Sequence, residues 1–281
     1  LMVLFTGVAA LGFVDDLYEW PPRLKFALLS AASVMAAYIA GPADMLPVAG
    51  GLAFGLTTWA ALGGSTLWVF TVKNATNFMD GANGLAAGAV GTASAALALA
   101  ALLVGADTAA LAAAALAGAL AGFLPLNAPK ARVFMGDAGS LFIGGWYAAA
   151  GLLFIREAPL GAVYAPPLML LAILADTLLT MAWHVRHRAP VLQPHRNHAY
   201  QVRIAAGASH AEVSFAIAMR TAGLSALALG ALALARVTGE PAWSLGAFVA
   251  GVGVSVLWWL RDHADRTTPL AGRQSSESER G

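Results

Sequence analysis

Asn74-Ala-Thr-Asn77-Phe-Met-Asp80-Gly-Ala-Asn83-Gly-Leu85 is the stretch whose reading decides the fold. It follows about twenty-one mostly apolar residues, Leu52 to Val72, and another apolar run, Gly84 to Val104, begins as it ends. Each run is long enough to cross a bilayer core as a helix, which takes about 20 residues. Between them stand three asparagines, one aspartate and two glycines, with Lys73 the only basic residue alongside. A connecting turn can be built from many polar residues. This one offers amide and carboxylate oxygens, with glycines that let backbone approach a ligand closely.

The same alternation of greasy and polar stretches runs through the whole chain. Of 281 residues 59% are hydrophobic and only 11% charged, where a soluble domain carries about 25% charged residues. Mean hydropathy is +0.71. The other apolar runs are Met2–Val14, Phe26–Ala40, Thr108–Leu126, Leu141–Ile155, Ala162–Trp183, Val213–Ala235 and Ala242–Leu260. We therefore expect an all-α polytopic membrane protein with about nine transmembrane helices. Residues 1–260 read as a single catalytic domain, and the Ser/Glu/Arg-rich residues 261–281 as a disordered cytoplasmic tail. The net charge of +1 and the lack of a basic patch interleaved with aromatics argue against a nucleic-acid partner. Without cysteine there is no disulfide or thiolate metal site. Residue 1 is leucine and the first run has only thirteen residues, short for a span, so further sequence is expected ahead of it.

Counting runs places the polar stretches. Two runs separate Asp15-Asp16 from Asn74–Leu85, two more reach Asn127–Ser140, and two more reach His184–Glu212. An even number each time puts all four on one face of the membrane. Thirteen of the sixteen Lys and Arg residues lie on that face, which the positive-inside bias marks as cytoplasmic.

These stretches carry residues suited to phosphate chemistry. Asp15 and Asp16 are adjacent acids at a helix end, whose repulsion a positioned cation would relieve. Lys25 either holds an anion nearby or snorkels to the interface. Asp137, in Met135-Gly-Asp-Ala-Gly-Ser140, is bracketed by glycines that permit a tight turn presenting a carboxylate and backbone N–H groups to a phosphate. Magnesium takes one or two carboxylates plus substrate phosphates, which Asp137 with Asn77 or Asp80 would supply. His195-Arg196-Asn-His198 sets two imidazoles about an arginine, and an anion clamp fits it better than a zinc pair. Asp176, inside an apolar run, calls for a partner such as Arg186 or a neighbouring helix. A transporter would keep its ionisable groups near the midplane, whereas these gather at one interface.

From about Gly12 to Gln201 the chain resembles the polyprenyl-phosphate N-acetylhexosamine-1-phosphate transferases. The resemblance rests on Gly12-x-x-Asp15-Asp16 with Lys25, Asn74-x-x-Asn77-x-x-Asp80-Gly, Asn127 ten residues before Asp137, and Met-Gly-Asp-x-Gly-Ser. His195-Arg-x-His-x-Tyr-Gln looks like the bacterial branch that starts O-antigen chains, and unlike the histidine run of the muramoyl branch. Asn83 stands where the family often has aspartate. The family usually has ten or eleven spans, and an eleven-span member without its first two would look like this chain.

The resemblance implies a reaction in the bacterial inner membrane. A cytoplasmic UDP-N-acetylhexosamine gives its sugar-1-phosphate to undecaprenyl phosphate and releases UMP, with Mg2+, or alternatively Mn2+, as cofactor. It implies Asp137 and Asn77 as metal ligands and Asp15, Asp16, Asp80 and Asp137 as catalytic. Lys25, His195, Arg196 and His198 would hold phosphates, with Asn77, Asn83, Asn127 and Phe134 lining the substrate site and Phe134 stacking on uracil. A homodimer stays open. The muramoyl-pentapeptide reaction and an ion-coupled transporter are the alternatives.

Overall fold

The computed structural model describes residues 1–18, 20–158, 161–187 and 198–264. Its helices are α1 (Met2–Tyr18), α2 (Pro22–Ala40), α3 (Thr58–Phe78), α4 (Leu85–Val104), α5 (Asp107–Asn127) and α6 (Gly136–Glu157). A 3-10 turn, Ala162–Tyr164, then leads into α7 (Ala165–Met169), α8 (Leu171–Arg186), α9 (Ala199–Ala205), α10 (His210–Thr238) and α11 (Ala242–Ala264). Among the described residues six of these helices are long and apolar enough to cross a membrane. A seventh crossing counts if the segment through α7 and α8, bent by 73°, is taken as one broken span. The chain is a multi-pass, mainly helical membrane protein.

Local signals fix several helix ends. Pro22 sits in the first turn of α2, where its missing N–H has no helical partner to lose. Ser209 and Glu212 cap α10 reciprocally, the Ser209 hydroxyl accepting from the Glu212 N–H while the Glu212 carboxylate accepts from the Ser209 N–H.

α6 is the central helix. It packs against α1, α3 and α5, and nearly its whole length from Ser140 to Phe154 is buried. Neighbours are tied to it by hydrogen bonds to backbone carbonyls: Trp68 donates to Ala148 at 3.0 Å, Trp146 to Ala112 at 2.9 Å and Tyr147 to Pro166 at 2.8 Å. α4 and α5 lie along each other through alanine-rich faces, including Ala93, Ala101, Ala109 and Ala113. Such small residues permit close helix contact in lipid.

The all-α frame also carries one short antiparallel hairpin, Met45–Ala49 (β1) with Leu52–Gly55 (β2), Leu46 opposite Phe54, and it moves an expected helix start. Gly50 and Gly51 take positive φ (56° and 80°) and make the turn. The apolar run from Leu52 is therefore part strand, and α3 begins only at Thr58, capped by the Thr57 hydroxyl. Displaced in this way, α3 runs on to Phe78, so Asn74 and Asn77 lie on its last turns and not in a loop. Finally, α11 continues to Ala264, past the tail boundary drawn at Arg261. Asp262 is buried there in a two-bond ion pair with Arg220 of α10, at 2.6 and 3.2 Å. Residues 265–281 of the expected tail lie outside the described residues.

Candidate active site

Asp15 and Asp16 occupy the last turn of α1 but serve different neighbours. The Asp15 carboxylate accepts from Lys25 Nζ of α2 at 2.5 Å and from the Trp20 N–H at 3.1 Å. Asp16 turns to α6, where its carboxylate accepts from the N–H of Asp137 at 3.1 Å and of Ala138 at 3.5 Å. It thus caps the first turn of α6, where a negative charge is favoured. Two glycines make this approach possible. A Cβ on Gly12 would lie 2.7 Å from the Asp137 carbonyl and the Ala138 nitrogen, and one on Gly136 would lie 2.8 Å from the Asp16 carboxylate. The N–H groups expected to face a phosphate are therefore engaged by Asp16, and Asp137 stands in a helical turn and not a loop.

Asp137 is the junction of the site. One oxygen accepts from Asn77 Nδ2 at 2.7 Å, and the other accepts from Lys25 Nζ. Lys25 thereby bridges Asp15 and Asp137, and all three side chains are only partly exposed. The Asn77 amide also donates to Ser140 at 2.9 Å, whose hydroxyl donates to the Gly136 carbonyl. Four helices, α1, α2, α3 and α6, contribute to one chain of bonds, so three of the four polar stretches, those with Asp15, Asn77 and Asp137, are joined here through Lys25.

Asp80 stands in the turn between α3 and α4. Burial, and then the charge of Asp137, push its carboxyl up from 3.8 to about 7. No described residue donates a hydrogen bond to that carboxylate, and the Asn77 amide, which donates through Nδ2 to Asp137 and Ser140, has an oxygen to which no described residue donates. Two neighbouring carboxylates beside an amide oxygen that accepts no hydrogen bond from a described residue are the donor set a hard divalent cation takes. Lys25 is the only described basic side chain bonded to the four acids. The residues fit a magnesium-type ion bound through Asp137 and Asp80 with Asn77.

The turn that carries Asp80 is braced from behind. Tyr200 of α9 donates to the Phe78 carbonyl at 3.1 Å, and Gly81 lies against its ring with no room for a Cβ. Burial, with the Asp176 and Asp80 charges, keeps the Tyr200 phenol a proton donor by pushing it up to about 12. Asp176 of α8 in turn accepts from the N–H groups of Ala199 (2.8 Å) and Tyr200 (3.4 Å) at the start of α9. Its partner is thus α9, and not Arg186.

Other expected substrate contacts are committed elsewhere. Asn127 is 4% exposed, and its amide accepts from the Gly84 N–H at 2.7 Å and donates to the Val133 carbonyl at 2.9 Å. It staples two loops together. Asn83 donates from its amide to the Pro129 carbonyl at 3.2 Å and from its backbone to His210 at 3.2 Å. His198 is 3% exposed, stacks on Phe78 and has Nδ1 3.8 Å from Asp176, so it is a brace in place of a phosphate ligand. Phe134 is 77% exposed, free to stack on a flat ring. His195 and Arg196 lie outside the described residues. Ser140 and Tyr200 were missed as parts of this framework, although both stand inside the motifs quoted above, while Asp176 pairs with a neighbouring helix, one of the two partners expected for it.

Residues 1–155, which hold Asp15, Lys25, Asn77, Asp80 and Asp137, match the family described as Glycosyl transferase family 4. The chain belongs to that family. Among its relatives is a phospho-N-acetylmuramoyl-pentapeptide-transferase of Desulforudis audaxviator, 33% identical over 176 residues, covering 56% of this chain and 53% of that protein. A probable undecaprenyl-phosphate N-acetylglucosaminyl 1-phosphate transferase of Bacillus subtilis is 28% identical over 204 residues, 72% of this chain and 57% of that protein. A decaprenyl-phosphate N-acetylglucosaminephosphotransferase of Mycobacterium tuberculosis is 30% identical over 235 residues, 75% of this chain and 58% of that protein. The chain spans little more than half the length of these curated relatives. The bonded Asp15, Lys25, Asn77 and Asp137 all lie within the matched residues, and membership in this family speaks against the transporter alternative.

Proposed function

We propose that the protein transfers an N-acetylhexosamine-1-phosphate from a UDP-sugar to a polyprenyl phosphate and releases UMP. The observation that carries this reading is the Asp15–Lys25–Asp137–Asn77 chain with Asp80 beside it, in a chain whose relatives are named for that class of transfer. The acceptor is a phosphate monoester, largely dianionic at neutral pH because its second pKa is about 6. Its oxygen attacks the β-phosphorus of the UDP-sugar, the bond to the UMP oxygen breaks, and no strong general base is required. Asp137, Asp80 and Asn77 would hold Mg2+, which supplies charge neutralisation on the pyrophosphate. Lys25 keeps one contact to Asp15 and offers its remaining protons to a phosphate oxygen. Asp16 holds the first turn of α6, and with it Asp137, in place. Phe134 stacks on the uracil.

Nine crossings, with this site on the cytoplasmic face of the bacterial inner membrane, follow from the run parity and the placing of the basic residues. The test is UMP release from UDP-N-acetylglucosamine by the purified intact protein, with polyprenyl phosphate and magnesium each omitted in turn. Release that persists without the lipid phosphate would remove the reading. A muramoyl-pentapeptide donor belongs in the same assay, since one relative is named for it. The O-antigen-type donor is favoured by the His195-Arg196-x-His198 pattern, and UMP release from the muramoyl donor alone would reverse that choice.

A further inference from the structure

Lys73 lies on α3, one turn before Asn77, and is 1% exposed, the most deeply buried basic side chain among the described residues. Its ammonium donates to the Leu29 carbonyl at 2.7 Å and to the Ser33 hydroxyl at 3.0 Å, both on α2, and lies 5.8 Å from the centre of the Phe70 ring. No described carboxylate pairs with it. An ammonium taken out of water without a counter-charge is costly, and a methionine of similar length would fill the space without that cost. Stability does not account for a lysine here, so its geometry has to.

That geometry leads to the site. Residues four apart share a helix face, so Lys25 stands one turn above Leu29 on α2, and Asn77 one turn above Lys73 on α3. The Lys73–Leu29 contact is therefore the rung directly beneath the one on which Lys25 and Asn77 both meet Asp137. α6 joins at the same level, because a Cβ on Gly144 would lie 2.9 Å from Lys73 Cα and 2.7 Å from the Thr76 hydroxyl. With α3 seated on α6 by backbone contact, the position of α2 along α3 is left to side chains, and Lys73 reaches across to α2 at that point.

We propose that Lys73 is a positioning residue for phosphoryl transfer. By holding Leu29 and Ser33, it sets the register of α2 on α3 and so fixes where the Lys25 ammonium stands relative to Asn77 and Asp137. Lys73 touches no substrate and acts only through Lys25. The inference rests on the transferase reading given above, and it deepens that reading.

The experiment compares wild type, Lys73→Met and Ser33→Ala in the intact protein. Lys73→Met lowers kcat for UMP release about 10- to 100-fold, the scale of ångström-size misplacement, while KM for the UDP-sugar stays within about twofold and Tm in detergent is unchanged or higher. Ser33→Ala, which keeps the Leu29 bond, gives a smaller fall in kcat. Unchanged kcat in both variants, or a rise in KM alone, overturns the proposal. A second readout needs no activity. In this cysteine-free chain, Phe70→Cys is paired with Phe26→Cys, its ring neighbour at 5.2 Å, or with Ser30→Cys one turn below. With Lys73 present the 26–70 pair cross-links preferentially, and with Lys73→Met the 30–70 pair gains. An identical cross-link pattern in the two backgrounds refutes the register role. A wild type that releases no UMP, with a Lys73-dependent pattern, refutes the transferase reading instead.

Discussion

Asp80 links the electrostatics of the site to a measurable pH dependence. Burial and the neighbouring Asp137 raise its carboxyl from 3.8 to about 7. Between these values the folded protein keeps a proton that the unfolded chain has released, so the folded state binds more protons. Stability then falls as pH rises through this window and levels off above about 7. Each pH unit fully inside the window is worth about 1.4 kcal/mol. Across pH 5 to 8, with the last unit counting little, Asp80 alone removes about 3 kcal/mol at most.

The divalent cation proposed on Asp137 and Asp80 would take the place of that proton, so magnesium would restore the stability lost as pH rises to about 7. The assay is Tm of the detergent-solubilised protein at pH 5, 6, 7 and 8, in chelator and in magnesium, for wild type and Asp80→Asn. In chelator the wild type loses Tm as pH rises, and Asp80→Asn loses distinctly less, because the amide has no proton to release. In magnesium the two curves approach each other at high pH. If Asp80→Asn keeps the full wild-type pH slope in chelator, Asp80 is not the titrating group and the argument from its burial fails.

Asp137→Asn keeps the protein folded but loses at least about a hundredfold in UMP release, since a neutral amide is a poor ligand for a hard cation and a poor partner for Lys25. Single cysteines at the exposed positions Lys130 and Ala206 react with an impermeant maleimide from the cytoplasmic side, and one at Asp44 reacts from the opposite side. Labelling of Lys130→Cys and Ala206→Cys from different sides contradicts the shared face. Arg220→Met, which leaves Asp262 buried without its partner, lowers Tm in keeping with about 3–5 kcal/mol. Arg220→Met with Asp262→Leu recovers most of the loss, and a double variant as unstable as the single one contradicts that account.

The sequence announced which residues meet more plainly than what each does there. Run parity and residue chemistry bring Asp15, Lys25, Asn77 and Asp137 together, and the bonds among them follow. Helix boundaries were less legible. Averaged hydropathy starts a span at Leu52, but Gly50-Gly51 makes a hairpin turn, and the helix shifts toward the motif by several residues. Polar side chains that brace backbone look in sequence like ligands. Asn127 and His198 carry the right donors and acceptors, and only the neighbouring N–H and carbonyl groups show where these go. Lys73 was visible only as a basic residue beside the motif, because the partners that give it a role are a carbonyl and a hydroxyl forty or more positions earlier.

Asp15-Asp16 shows why adjacency misleads on a helix. Read as a pair, the two acids suggest one function, a shared repulsion for one cation to relieve. On a helix, successive side chains diverge by about 100°, so neighbours in sequence face different elements. Asp15 therefore meets Lys25 on α2, while Asp16 meets the first turn of α6. Their separation is what seats α1 between those helices, with Gly12 supplying the close approach one turn below. Asp16 fixes Asp137 through its backbone, and Asp15 reaches it through the lysine they share. Moving either acid thus disturbs the same carboxylate by a different route, and the Asp-Asp motif is best understood as two independent holds on Asp137.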